Sequence, residues 1–289
     1  MRSPPAAILL LALPLVAACD GDDDLPADDD TSADDDTSAD DDSFPDDDSF
    51  APDDDTSAYG GSVSGRVVDF AGDALVDLQV TLCDEICVFA RSDGDGLFSF
   101  SNVAPSAYKF DAVAPVDEGL QTSWSNVLVS VEVGEDEAFE LGDVFVPETG
   151  APTLITGPGE LALAGGLTLT LGAAESLDFP SYVDDPWMAA LRVDEAFWPD
   201  FGMDTTSVLG VWALAPYDTE VEKGFDPIPV QVDDDFGLAA GTAVRFWVQS
   251  YDEGHAIEVA TGLVQGDGKT ATDAGQGIPR ITWVLVTSG

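Results

Sequence analysis

Basic residues are scarce in this sequence. Nine Lys and Arg stand against 57 Asp and Glu, giving a formal charge of −48 over 289 residues. Nucleic-acid binding rests on neutralising phosphates with Lys and Arg, so no nucleic acid is expected as a partner. Anionic lipid surfaces are disfavoured for the same reason. Histidine occurs once, at His255, so no two-histidine zinc site can be assembled. A Ser-His-Asp arrangement would need that same residue. Ser250 and Asp252 lie nearby, but Asp252-Glu253-Gly254-His255 reads as a hairpin turn, and there is no Gly-x-Ser-x-Gly elbow. A hydrophobic run of bilayer length is also missing. Ala6 to Ala18 is apolar apart from Pro14, shorter than the roughly 20 residues that span a membrane. No long helical apolar pattern stands out, and cysteine occurs only at Cys19, Cys83 and Cys87.

Acid, by contrast, is everywhere. Between Asp20 and Asp55 lie 19 Asp and no base, which leaves 38 acids against eight bases beyond them, a net of −30. Solubility and mutual repulsion are the plain consequences of such a charge. Divalent cations are expected to associate only weakly and non-specifically.

Met1-Arg2 followed by the short apolar segment has the build of a signal peptide, here residues 1–18. Its end, Val16-Ala17-Ala18-Cys19, resembles the bacterial lipoprotein lipobox, although Leu is commoner than Val at its first position. The resemblance implies cleavage before Cys19, a diacylglycerol thioether on its sulfur and acylation of the new N-terminus. Several acyl chains, at about 0.8 kcal/mol per buried methylene, make a lasting anchor. An ordinary cleaved signal that leaves Cys19 free is the alternative. Residues 19–58 then repeat Asp-Asp-Asp, starting at Asp22, Asp28, Asp34, Asp40, Asp46 and Asp53. So short and charged a repeat cannot bury a core, and it predicts a disordered, self-repelling tether. At up to ~3.5 Å per residue, it could reach about 140 Å when fully stretched.

Residues 59–147 change character at once. Val63, Gly65 and Val67 alternate with polar neighbours, as do Leu78, Val80 and Leu82, then Phe98 and Phe100, Tyr108, Phe110 and Ala112, Val127 to Val133, and Phe139 to Phe145. About seven short strands separated by turn residues predict a β-sandwich. The phrases Ser64-Gly65-Arg66-Val67-Val68-Asp69, Ala74-Leu75-Val76-Asp77-Leu78, Ser92-Asp93-Gly94-Asp95-Gly96-Leu97-Phe98 and Asn102-Val103-Ala104-Pro105 resemble the carboxypeptidase regulatory-like domain. That resemblance implies a transthyretin-type sandwich, grouped with carbohydrate-binding-like folds, that serves as an accessory module. It departs at Ser106-Ala107, where the family usually has Gly before the Tyr. Cys83 and Cys87 flank Asp84-Glu85-Ile86 and in an exported protein read as a disulfide across a hairpin. A metal-binding or redox pair is the alternative, although the spacing is not Cys-x-x-Cys and no other Cys or His lies nearby. Asp93 and Asp95 superficially resemble the start of a calcium loop, but a strand follows where the further acid ligands would stand, so a tight turn is expected.

Pro147-Glu148-Thr149-Gly150-Ala151-Pro152 reads as the start of a linker over residues 148–156, and strand rhythm returns over 157–289. Val208 to Ala215 is apolar on both faces and predicts a central strand. Residues 187–198 fit either a helix or a strand. Leu214-Ala215-Pro216-Tyr217-Asp218-Thr219 and Asp273-Ala274-Gly275-Gln276-Gly277-Ile278-Pro279 resemble a bacterial β-sandwich module loosely like that of ankyrins and netrin receptors, which implies an interaction or structural module.

These readings predict an all-β chain of two β-sandwich domains behind a signal peptide and tether, with no cofactor, no metal site and no catalytic centre. The expected role is structural or adhesive, lipid-anchored through Cys19 in the bacterial cell envelope, at the outer membrane or cell surface, with a glycan or an envelope protein as partner. Carbohydrate binding is the alternative. Of six Trp, four sit within apolar alternation, leaving Trp124 and Trp198 as candidates for stacking on sugar rings. Hydrolysis by paired carboxylates is a second alternative.

Overall fold

A computed structural model describes residues 60–114, 123–173 and 176–289. The signal peptide expected over 1–18, Cys19 and the tether expected over 19–58 lie outside the described residues. Strand accounts for 52% of the structure and helix for 5%, which makes the fold all-β.

The two-residue rhythm of the sequence becomes the first sandwich. Its strands are β1 (Gly61–Val68), β2 (Gln79–Cys83), β3 (Cys87–Arg91), β4 (Leu97–Val103), β5 (Ser106–Ala112), β7 (Val127–Val133) and β8 (Ala138–Phe145), with a short β6 (Ser123–Trp124) before β7. One sheet runs β4-β1-β8 and the other β3-β2-β5-β7. β1 and β8 pair in parallel, and the other pairs in these two sheets are antiparallel. Val63, Val67, Val80, Leu82, Phe100 and Val131 point into the space between the sheets because they share one parity of the pleat. Phe98 of one sheet stacks on Phe110 of the other, with ring centroids 4.9 Å apart. Asp93 accepts from the backbone N–H of Asp95 and of Leu97, both at 2.9 Å, and Gly96 takes φ 79°. Asp93 and Asp95 thus form a tight turn that carries the chain from β3 across to β4.

Residues 148–156, expected as a linker, carry β9 (Glu148–Gly150) and β10 (Thr153–Leu154). β9 pairs with β6, and Ser123 and Thr149 are buried together there in hydroxyl contact at 2.5 Å. The remaining strands are β11 (Gly159–Leu163), β12 (Leu167–Leu171), β13 (Leu177–Asp178), β14 (Trp187–Arg192), β15 (Val208–Ala215), β16 (Thr219–Val221), β17 (Val230–Val232), β18 (Ala243–Gln249), β19 (Ala256–Val264), β20 (Thr270–Thr272), β21 (Arg280–Ile281) and β22 (Val284–Ser288). Ten of the strands in this half form one sheet, β10-β14-β15-β22-β18-β19-β20-β17-β12-β11, and β13-β16-β21 form another. The long sheet curls on itself, so that Leu167, Leu169, Val230 and Val232 share a core with Trp212, Leu214, Phe246 and Val286. Trp212 Nε1 donates to the Gly165 carbonyl at 2.9 Å, tying the two ends of the curl together. The stretch 187–198, which fitted either periodicity, is strand to Arg192 and then a 3-10 turn over Glu195–Phe197.

β15 explains how the two halves meet. Trp212 and Leu214 face the second core, whereas Val211 and Ala213 belong to the same apolar cluster as the first sandwich, together with Val193, Phe201, Trp283 and Leu285. Both faces of this strand are buried, one by each half. Phe197 stacks on Phe70 at 4.5 Å and meets Phe145 edge-on at 5.0 Å. The described residues all belong to one compact unit.

Candidate functional site

The hairpin between β18 and β19 docks on the first sandwich. Ser250 N donates to the His255 carbonyl and Gly254 N to the Ser250 carbonyl, closing the turn expected there. Polar contacts cross from this hairpin and β18 to the first sandwich. Lys109 Nζ donates to the Asp252 carbonyl at 2.6 Å and Ser130 Oγ to the Gly254 carbonyl at 2.5 Å. Gln249 Nε2 donates to the Leu128 carbonyl, and Tyr251 OH to Cys83 Sγ at 3.2 Å. Trp283 Nε1 adds another, to the Asn126 carbonyl at 2.7 Å. The hairpin therefore serves as a clamp, and His255, exposed at its base, contacts the Glu253 carbonyl through Nδ1 at 2.9 Å.

Where these contacts stop, a cleft of about 650 Å³ remains between the halves. The first sandwich supplies Asp111 from β5, with Val113, Ala114 and Asn126. The second supplies Asp178, Phe179, Pro180 and Tyr182 from β13 and the loop after it, Tyr217, Asp218 and Glu220 from the β15–β16 turn and β16, and Tyr251 from the clamp. Asp111 occupies the outward parity of its strand, between Phe110 and Ala112 of the core, so its carboxylate projects toward the second half. It is only 7% exposed. Its Oδ2 accepts from Asn126 Nδ2 at 3.2 Å, and Asn126 Oδ1 in turn accepts from the Ala114 N–H at 2.9 Å. Asp111 Oδ1, Tyr217 OH and Gln249 Oε1 are buried with no hydrogen-bond partner among the described residues. An unsatisfied buried polar group costs about 1–3 kcal/mol, and two of these three residues, Asp111 and Tyr217, line the cleft.

Electrostatics single out the same residues. Burial pushes the Asp111 carboxyl up from 3.8 to about 7; the Asn126 hydrogen bond opposes the rise and the Asp218 carboxylate adds to it. Burial, then Asp111 and Asp218, hold the Tyr217 phenol well above its usual range, and Arg280 pulls the other way. Tyr251 is raised by the same three influences, in the same order. Asp218 is raised by burial, with Arg280 opposing. Arg280 bridges Glu220 at 2.7 Å, Asp252 at 3.4 Å and Asp218 at 3.6 Å, which fixes one wall of the cleft. A pocket this acidic and aromatic can accept hydrogen bonds, stack on apolar faces and hold positive charge.

The residues singled out from sequence lie elsewhere. Cys83 and Cys87 face each other across the β2–β3 hairpin, Cα atoms 4.1 Å apart, and form a disulfide. Trp124, on β6, is half-buried against the shared core and does not line the cleft. Trp198 is also half-buried, its Nε1 donating to the Val193 carbonyl at 3.0 Å. It lines a smaller groove of about 300 Å³ with Phe139, Leu141, Phe145 and Phe197. Of the four Trp within apolar alternation, Trp187, Trp212 and Trp283 are buried as expected, whereas Trp247 is half-buried, its Nε1 donating to Thr287 Oγ1 at 3.0 Å. Asp111, Tyr182 and Tyr251 carry no sequence motif. Their only local signal is an acid or a tyrosine beside strand alternation, which reads as a solvated face.

No protein-family model matches the chain, and no curated protein matches it. Among solved structures, it is similar to a candidate carbohydrate-binding protein from Bacteroides uniformis, at 8% identity over 80% of each chain and a TM-score of 0.22. It is also similar to the TIE protein of Bacillus anthracis, at 11% identity over 73% of this chain and 42% of that one, TM-score 0.22. The major pilin subunit of Bacillus cereus aligns at 9% identity over 79% of this chain and 58% of that one, TM-score 0.22. Likenesses this distant carry no argument about what the cleft does.

Proposed function

We propose that this chain is an exported, lipid-anchored, non-catalytic protein of the bacterial cell envelope with an adhesive role, and that it holds its partner in the cleft between its two sandwiches. The carrying observation is that Asp111 and Tyr217, one from each half, bring buried polar atoms without partners to the same cleft. A clamped, two-module head on a long acidic spacer suits presentation of such a cleft away from a membrane. Changing Cys19 to Ala tests the anchor by membrane fractionation. The variant is expected in the soluble fraction, and a variant that stays with the membrane contradicts the lipid.

Carbohydrate binding is the second reading, favoured by Tyr182, which is 48% exposed at the cleft and offers a ring face for stacking on a sugar. A glycan array probed with the full chain decides it. Signal lost in Tyr182→Ala but kept in Trp124→Ala and Trp198→Ala assigns sugar binding to the cleft. Signal lost only in the Trp variants moves it to the indoles.

A further inference from the structure

The cleft sets four carboxylates, on Asp111, Asp178, Asp218 and Glu220, beside the rings of Phe179, Tyr182, Tyr217 and Tyr251. None of the residues lining it is basic. The guanidinium that reaches Asp218 and Glu220, that of Arg280, is also bound by Asp252. An anionic ligand would meet this charge at close range and be repelled. A small metal ion is not held either: among the described residues, no three His, Cys, Asp or Glu side chains converge on one point. A neutral ligand could satisfy the buried atoms but gives no account of four acids. An organic cation accounts for both acids and rings, since ammonium groups are drawn to carboxylates and to aromatic faces alike. The protein already uses Tyr251 in this way: Lys109 Nζ lies 5.4 Å from the centre of its ring. Lys109 is committed to the Asp252 carbonyl, whereas Asp111 Oδ1 has no partner.

We propose that the cleft binds a primary alkylammonium group, its charge seated against the Asp111 carboxylate and its alkyl chain lying along the tyrosine rings. This inference rests on the reading of the cleft as the binding site. A lysine side chain of a partner protein and a free diamine share this chemistry. Asp111 is faced by Asn126 from the first sandwich and by Tyr217, Asp218 and Tyr251 from the second, with Arg280 and Asp252 behind them and Lys109 two residues along its own strand. Of these, the Asp111 carboxyl changes charge near neutrality.

The test is isothermal titration of the full chain with Nα-acetyl-lysine methylamide and with cadaverine, using the Nε-acetylated lysine derivative, calcium and neutral methyl glycosides as controls. Saturable binding of an ammonium probe but not of its acetylated form is expected. It should weaken about 10- to 100-fold in Asp111→Asn, as for loss of a charge-assisted hydrogen bond, and roughly 3- to 30-fold in the exposed-site variant Tyr182→Ala. Affinity should rise from pH 6 to pH 8. Preference for the lysine derivative assigns the source to a protein side chain, and preference for cadaverine to a free diamine. Equal binding of the acetylated probe, or unchanged affinity in both variants, overturns the proposal. Glycoside binding lost in Tyr182→Ala, with no ammonium binding, also overturns it but leaves the cleft reading standing. Absence of binding by every probe removes both.

Discussion

Asp111 shows how one residue can set a pH profile. Its carboxyl titrates at about 7 in the fold and at 3.8 in its ordinary state, so between those values the folded protein holds a proton that the unfolded chain has lost. Stability from this group is therefore greatest below about pH 4, declines as pH rises to about 7 and then stays at the lower level, a total on the order of 4 kcal/mol. Asp111→Asn keeps the shape and removes the charge. Urea denaturation should find the variant more stable than the parent at pH 8 and close to it at pH 4. A difference that does not vary with pH would refute the assignment. The disulfide acts at the same scale. Closing so short a loop is worth about 2 kcal/mol in loop-closure entropy. Denaturation of the oxidised protein, the reduced protein and a Cys83→Ser, Cys87→Ser variant should show the latter two equally weakened by that amount.

At the scale of elements, the clamp hairpin holds the halves in register. Gly254 sits at φ 74°, and a Cβ there would lie 2.9 Å from Ser130 Oγ and 3.4 Å from Lys109 Cγ. Those are two of the residues that bind the hairpin from the first sandwich. Gly254→Ala therefore adds left-handed backbone strain, about 1–2 kcal/mol, to a clash at the docking contact. A loss of at least about 2 kcal/mol in thermal or urea unfolding is expected, against a smaller loss for Gly275→Ala, which shares the left-handed backbone at φ 78° but has no atom near. Equal losses at the two positions would mean that the hairpin's docking contributes nothing. β15 carries the complementary lesson. Its apolar residues on both faces were visible in the sequence, and they predicted a central strand. The structure makes it the wall shared by two cores.

For the molecule as a whole, the shared wall has a thermodynamic consequence. Val211, Ala213, Trp283 and Leu285 would be exposed if the halves parted, at a cost of roughly 25 cal/mol per Å² of apolar surface. The two halves should consequently melt together. Scanning calorimetry is expected to give one transition whose calorimetric and van't Hoff enthalpies agree. Two resolved transitions, or a fragment of residues 59–147 as stable as the intact protein, would show that the sandwiches are energetically separate.

Alternation along the sequence indicated the seven strands of the first sandwich and three of the four indoles expected in the core, and the Asp-Gly residues and the cysteine spacing indicated the Asp93 turn and the Cys83–Cys87 pair, because each depends on neighbours within a strand or across one hairpin. Tertiary structure alone decided the rest. Residues 148–150 became a strand because Ser123 and Trp124 were there to pair with them. Asp111 had the sequence context of a solvent-facing strand position, and nothing local distinguishes water from a second domain on that side. Its burial, its raised carboxyl and its place in a cleft with Tyr217 follow only from the second half closing over the first sandwich. A period-two pattern determines which face a side chain takes, but what covers that face is a property of the assembled fold.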